Sequence, residues 1–116
     1  MKPRVFAVHQ PTGRDPRTGA IRDTMDLSPA AEWGEIRFVL REFENPFADI
    51  RQTLADVRSV LHAENFGPAD WLLLVGNPVL IAVVSAVAAE RTGLLRVLQW
   101  NRAAHAYSPV ELVLQA

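Results

Sequence analysis

From Trp71 to Ala89 the chain runs nineteen residues without a charged side chain. That is close to the length a helix needs to cross a bilayer. Gly76-Asn77-Pro78 interrupts the run in its first half. Glycine and asparagine signal a turn, and proline suits the first turn of a new helix, where its missing N–H costs nothing. The run therefore divides into a strand over Trp71 to Val75 and a helix over Val79 to Ala89. Trp71-Leu72-Leu73-Leu74-Val75 is continuously apolar, the mark of a central strand covered on both faces. A membrane-embedded segment is the alternative, and it requires one helix to continue through Gly76-Asn77-Pro78.

The flanking segments supply the rest of an α/β pattern. Arg4 to His9 reads as a short buried strand. Residues 10–26 are polar and hold Pro11, Gly13, Pro16 and Gly19, so a β-hairpin is expected, with arms near 9–13 and 20–25. Asp15-Pro16 opens its turn and Gly19 takes the left-handed position. Ser28 as cap and Pro29 at the first helical position predict a short helix that Gly34 ends. Residues 35–42 alternate, with Ile36, Phe38 and Leu40 on one face and Arg37, Val39 and Arg41 on the other. A helix begins at Asn45-Pro46. Phe47, Ile50, Leu54, Val57 and Leu61 share one side of it, and Asn65-Phe66-Gly67-Pro68 stops it. Thr92-Gly93 closes the second helix. Strands follow over Leu94 to Trp100 and Ala106 to Leu114, and Pro109 places the last at a sheet edge. Two strand–helix–strand crossovers in series predict a single domain over residues 1–116. The expected fold is a small three-layer α/β domain of Rossmann-like type. Its sheet is mainly parallel, with an antiparallel C-terminal edge hairpin and a protruding N-terminal β-hairpin.

Composition narrows the chemistry. The 116 residues contain no cysteine, which removes disulfides, thiol catalysis and thiolate metal sites. It also fits a reducing compartment. The formal net charge of −1 argues against a general nucleic-acid coat. Eleven of the twelve basic residues are arginine, as a GC-rich genome would encode them. Met1-Lys2-Pro3-Arg4-Val5 does not open a signal peptide, because the apolar run ends at His9. A cytoplasmic location and no membrane partner are expected.

In open α/β sheets ligands collect beyond the carboxyl ends of the parallel strands. Those ends gather His9, Gln10, Gly76, Asn77, Asn101 and Arg102 as the candidate ligand-binding set. The N-terminus of the second helix favours an anion, Gly76 admits a ligand close to the backbone, and Asn77 offers a hydrogen bond. The simpler account of Gly76-Asn77-Pro78 is a tight turn, a helix cap and a first helical residue. No G-x-G-x-x-G or G-x-x-x-x-G-K-[ST] is present, so no cofactor is expected. No metal site and no catalytic residue is assigned. His9 is the one histidine placed near the candidate site, with Glu42 and Asp26 as conceivable carboxylate partners. His62 and His105 are expected at the surface. Trp100 is placed beside Asn101 at a strand end, with Tyr107 across the last hairpin as its partner.

Two surfaces suit a protein partner. Arg14, Arg17 and Arg22 sit on the N-terminal hairpin, where they suit acidic groups, although Asp15, Asp23 and Asp26 offset them. Leu80, Val83, Val84 and Val87 lie on a helix that is apolar almost all round. One sheet cannot cover every side of such a helix, so a homo-oligomer interface is expected there. The simpler cover is the first long helix together with the hairpin.

Residues 26–35 (Asp26-Leu27-Ser28-Pro29 through Glu35), Leu72 to Pro78, Val97-Leu98-Gln99-Trp100-Asn101-Arg102 and Tyr107-Ser108-Pro109-Val110 carry a resemblance. Their order and spacing are similar to those of a group of small phage- and prophage-encoded proteins. The resemblance implies a mobile-element accessory protein and transfers no catalytic residue. It leads one to expect Asp where this chain has Asn77 and Asn101, which argues against a metal or acid role at those points. The leading expectation is thus a non-enzymatic accessory protein that binds a host or phage protein. The alternative is binding or cleavage of a nucleotide-type signal, such as a cyclic oligonucleotide, at the strand ends.

Overall fold

The computed structural model describes residues 3–9, 12–23, 26–40 and 48–114, with the backbone alone at 12–14 and 21–23. Strand β1 (Arg4–His9) lies between β4 (Glu35–Leu40) and β5 (Trp71–Leu73) and runs parallel to both. Strand β6 (Leu94–Asn101) is parallel to β5, and β7 (Ala106–Val113) returns antiparallel to β6. The sheet is therefore mixed, with five strands in the order β4-β1-β5-β6-β7. Strands β2 (Thr12–Arg14) and β3 (Ile21–Asp23) form a separate antiparallel pair inside the segment expected as a hairpin. At its turn Asp15 Oδ1 accepts from the Arg17 N–H at 2.8 Å, and Gly19 is left-handed at φ +73.

Helices α1 (Ile50–Ala63) and α2 (Pro78–Thr92) share one face of the sheet. Phe6, Val8, Leu72 and Val97 rise from the strands against Val57, Leu61, Leu80 and Val84, all of them buried. The opposite face has thinner cover, from a six-residue 3-10 segment (Ser28–Trp33). Leu27 and Ala30 seal Val5, Ala7, Trp71, Leu73, Leu98 and Tyr107 there. Trp33 meets Trp71 edge-to-face at 5.3 Å. The strand-period alternation of Phe6/Val8 and Val5/Ala7 explains why two layers are needed. Successive side chains leave the strand on opposite sides, and all four here are apolar.

Several local expectations need correction. Ser28 makes no side-chain cap; the carboxylate of Asp26 accepts from the Ser28 N–H at 2.9 Å instead. Asp49 caps α1, accepting from the N–H groups of Arg51 and Gln52. The apolar face of α1 starts a turn later than its spacing predicts. Ile50 is exposed, and Thr53 is buried in the next turn, where its hydroxyl donates to the Asp49 carbonyl at 3.2 Å. That bond satisfies the hydroxyl and lets a polar residue occupy the interior. Leu40 was expected beside Ile36 and Phe38; it packs with Val39 on the helix side, where β4 ends. The expected start at Asn45-Pro46, with Phe47, lies outside the described residues.

Helix α2 follows its signals closely. Asn77 accepts from the Val79 N–H at 2.8 Å, Pro78 occupies the first turn, and Gly93 closes the helix at φ +69. No described helix is long and apolar enough to cross a membrane. The uncharged run is divided between β5 and α2 as the turn triplet requires.

Gly34 has a specific task. Its φ is +155, and a Cβ placed there would lie 2.4 Å from the Pro3 carbonyl oxygen. Backbone fills the space any side chain would need, at the point where β4 begins beside β1. Gly34→Ala should therefore destabilise the fold by about 2 kcal/mol or more. A urea titration followed by tryptophan fluorescence checks this; an unchanged midpoint would refute the steric account.

Candidate functional site

The strand order reverses direction around β1. The chain leaves β1 for β4 on one side, then returns over β1 to β5 on the other. The crevice between the carboxyl ends of β1 and β5 is where an open α/β sheet places a ligand. Two of the expected residues meet there. A Cβ added to Gly76 (φ +113) would come within 3.0 Å of the His9 Cβ, so the glycine backbone packs directly against the histidine. The His9 side chain is half-buried, and its Nε2 is enclosed without a hydrogen-bond partner. Of its conceivable partners, Asp26 is engaged with Ser28. Glu42 lies outside the described residues, as does Gln10. Among the described residues no group of three His, Asp or Glu side chains is placed to hold a metal ion.

The remaining members serve local structure. Asn77 is the α2 cap, so its side-chain oxygen is engaged. Asn101 ties the β6–β7 turn: its Oδ1 accepts from the Ala104 N–H at 3.2 Å, and its Nδ2 donates to Ser108 Oγ at 3.3 Å. Arg102 is exposed in the same turn. Sequence spacing thus located the strand ends, while the chemistry of two asparagines there is capping and turn closure.

An aromatic group lies beside that turn. Trp100 and Tyr107 face each other across β6 and β7, with ring centroids 5.1 Å apart. His105 stands 6.5 Å from the indole. Trp100 is 45% exposed, whereas Tyr107 is buried against Leu27 and Ala30. Burial raises the Tyr107 pKa above its ordinary 10.0, and the nearby Asp26 charge adds to the rise. The folded state therefore favours the protonated phenol. Its contribution is fully present below pH 10 and is lost as pH rises through the higher folded value. Thermal unfolding should show a steeper loss of stability above pH 10 in the wild type than in Tyr107→Phe. Equal slopes would refute this linkage.

The partner-binding candidates are dispersed. Arg17 is exposed at the turn between β2 and β3. The backbones of Arg14 and Arg22 lie opposite Ile21 and Gly13 in the ladder, and their side chains are outside the described atoms. On α2, Leu80, Val84 and Val87 are buried inside this chain, and Val83 is half-buried against the same core. Helix α1 and the sheet pack against them; no hairpin residue is part of that cluster among the described residues. The outward positions of α2 are Val79, Ala82, Ala86 and Glu90.

The most connected polar group was missed at the sequence level. It sits at the opposite end of the sheet. The buried carboxylate of Asp70 accepts from the Arg4 backbone N–H at 3.0 Å, from Arg4 Nη2 at 3.1 Å and from the Gly67 N–H at 2.8 Å. Arg4 also reaches Glu64. Arg96 lies 3.8 Å over the Trp71 ring and donates to the Ala69 carbonyl at 3.0 Å. Arg91 donates to the Phe66 carbonyl at 2.7 Å. Three arginines from β1, α2 and β6 thus hold the loop between α1 and β5. The signal was available only in part: Arg4 opens β1 and Asp70 immediately precedes β5, whereas Arg96 is the third residue of β6 and joins them through the register that sets Val97 beside Leu72. Two shallow depressions open here. One of about 590 Å³ lies along residues 65–70 with Arg91 and Thr92; another of about 670 Å³ lies between Pro3, Arg4 and residues 31–35. Arg4, Asp70 and Arg91 in their walls are already paired, which makes this cluster a structural clamp. Asp70→Ala leaves Arg4 without its buried partner and should cost about 3 kcal/mol. Chemical denaturation measures that loss, and a change below about 1 kcal/mol would refute the clamp.

Fold and site together define a small α/β protein whose strand-end asparagines serve as caps and whose polar clamp is structural. Residues 3–114 match the family described as phage Pam3 gp32-like protein, and the chain belongs to that family. No curated protein and no solved structure matches it.

Proposed function

We propose that the chain is a non-enzymatic phage or mobile-element accessory protein that acts in the cytoplasm by binding a protein partner. The observation that carries this reading is the exposure of large apolar side chains. Trp100, Leu112, Val113 and Leu114 stand 45%, 45%, 70% and 54% exposed in a chain this small. Tryptophan backed by a packed tyrosine is a frequent anchor in protein interfaces. Family membership and the structural use of Asn77 and Asn101 point the same way. The arginines 14, 17 and 22 add a surface suited to acidic groups. Capture from host cells in which the element replicates tests the reading. A wild-type bait should recover one protein in constant proportion. Trp100→Ala, or Arg14→Glu with Arg17→Glu, should reduce recovery at least ~10-fold, as loss of an interface anchor does. No recovered protein, or recovery unchanged in both variants, would overturn it.

A second reading has one observation in its favour. The enclosed His9 Nε2 lies beside Gly76, close to the N-terminus of α2, and that neighbourhood suits a phosphate of a nucleotide-type ligand. A thermal shift with a member of a nucleotide and cyclic-oligonucleotide panel, lost in His9→Ala, would support it. No shift with any member would remove it.

A further inference from the structure

We infer that β7 is the seam of a two-fold dimer in which a second copy of this chain pairs antiparallel with it, centred on Leu112. The inference rests on the binding reading above and names the partner for one surface.

The two edges of the sheet are built differently. Edge strand β4 carries Glu35 and Arg37, which pair with each other, and Arg37 also reaches Glu64. Charges of this kind guard an edge against another strand. Edge strand β7 ends in Leu112 and Val113, followed by Leu114, and all three are exposed. Its one acid, Glu111, is held by Arg96 of the same chain at 3.7 Å. Two such edges therefore meet without an unpaired like charge between them.

Backbone direction defines the register. The Leu98 carbonyl accepts from the Leu74 N–H, so Leu98 turns its backbone groups toward β5 and away from β7. Its opposite residue, Pro109, then faces the open edge, and so do Glu111 and Val113 by strand alternation. The bond from the Leu114 N–H to the Gly93 carbonyl agrees with this phase. Proline has no N–H, so a two-fold centred on Val110 or Glu111 would set a carbonyl opposite a missing donor. Centring on Leu112 sets Pro109 opposite position 115, outside the described residues, so every outward group of the described pairing keeps its partner. Glu111 of one copy then faces Val113 of the other, and the reciprocal pair completes the set. Four outward N–H groups meet four outward carbonyls. Leu112 meets its own copy in the closer, non-hydrogen-bonded position, flanked on the same face by Val110 and Leu114.

The chain has no cysteine, so one introduced thiol reads the register directly. In Leu112→Cys the two thiols should form one disulfide across the dyad, where Cβ atoms of such a pair lie about 4.5–5.5 Å apart. Diamide accepts the two electrons and two protons released. Val79→Cys, equally exposed on α2, should remain a monomer under the same treatment. Sedimentation velocity of the unmodified full chain should show a dimer within about 1–100 µM, a range usual for modest interfaces. Leu112→Arg should weaken self-association more than ~10-fold while leaving the circular dichroism melt unchanged. A monomer at every concentration, with Leu112→Cys cross-linking no faster than Val79→Cys, overturns the seam. Capture of another protein by the Trp100 surface, still intact in Leu112→Arg, would show that the binding reading survives that failure.

Discussion

β1 has no face left for water. Val5, Phe6, Ala7 and Val8 are fully buried, two toward the helices and two toward the 3-10 segment. Every other element is arranged to make that true. β4 and β5 satisfy its backbone on both sides. Helices α1 and α2 close one face, and Leu27, Ala30 and Trp33 close the other. A strand this apolar, left half-covered, would lose a large share of the burial that a small domain depends on. The Arg4–Asp70 clamp holds the head of this strand to the head of its neighbour, so charge pairing and apolar burial specify the same register.

Much of this arrangement was legible where local chemistry and tertiary packing agree. Gly76-Asn77-Pro78 read correctly as turn, cap and first helical residue, although β5 stops at Leu73, two residues short of the expected strand over Trp71 to Val75. Pro109 read correctly as an edge residue: a missing donor excludes the sheet interior. The α1 start was read less well. Ile50 looks like part of an apolar stripe, yet the cap at Asp49 rotates the first turn so that Thr53 points inward and Ile50 outward. Periodicity reports spacing along a helix and does not report the angle at which the helix meets the sheet. The short segment after Leu27 was seen, but its cap was misassigned by two residues, since Asp and Ser both satisfy an N–H in that position.

The candidate site was legible in place, and two of its residues also serve local structure. His9 and Gly76 do come together, because topology alone brings the ends of β1 and β5 side by side. Asn77 and Asn101 come to the strand ends as expected, but each is occupied by backbone a few residues away. The polar cluster that joins the most elements went unseen because its members are far apart in sequence. Arg4, Asp70 and Arg96 become neighbours only once strand order is known. The α2 apolar surface has a local account as well: Leu80, Val84 and Val87 are buried once α1 is laid against the helix.

The central place of β1 has a consequence for how the chain is made. Of the described strands, the one made earliest pairs across the longest gap, with Arg4 and Asp70 separated by 66 positions. At about 5–20 residues per second, that interval lasts several seconds on the ribosome. Until β5 is made, Val5 to Val8 have only β4 beside them and α1 above them, and α2 is made later still. The growing chain therefore carries a half-sheltered apolar strand, and its cover is complete only once β5 and then α2 have followed. Holding factors that grip extended apolar chain would find a binding segment in β1, and would release it as β5 and α2 dock.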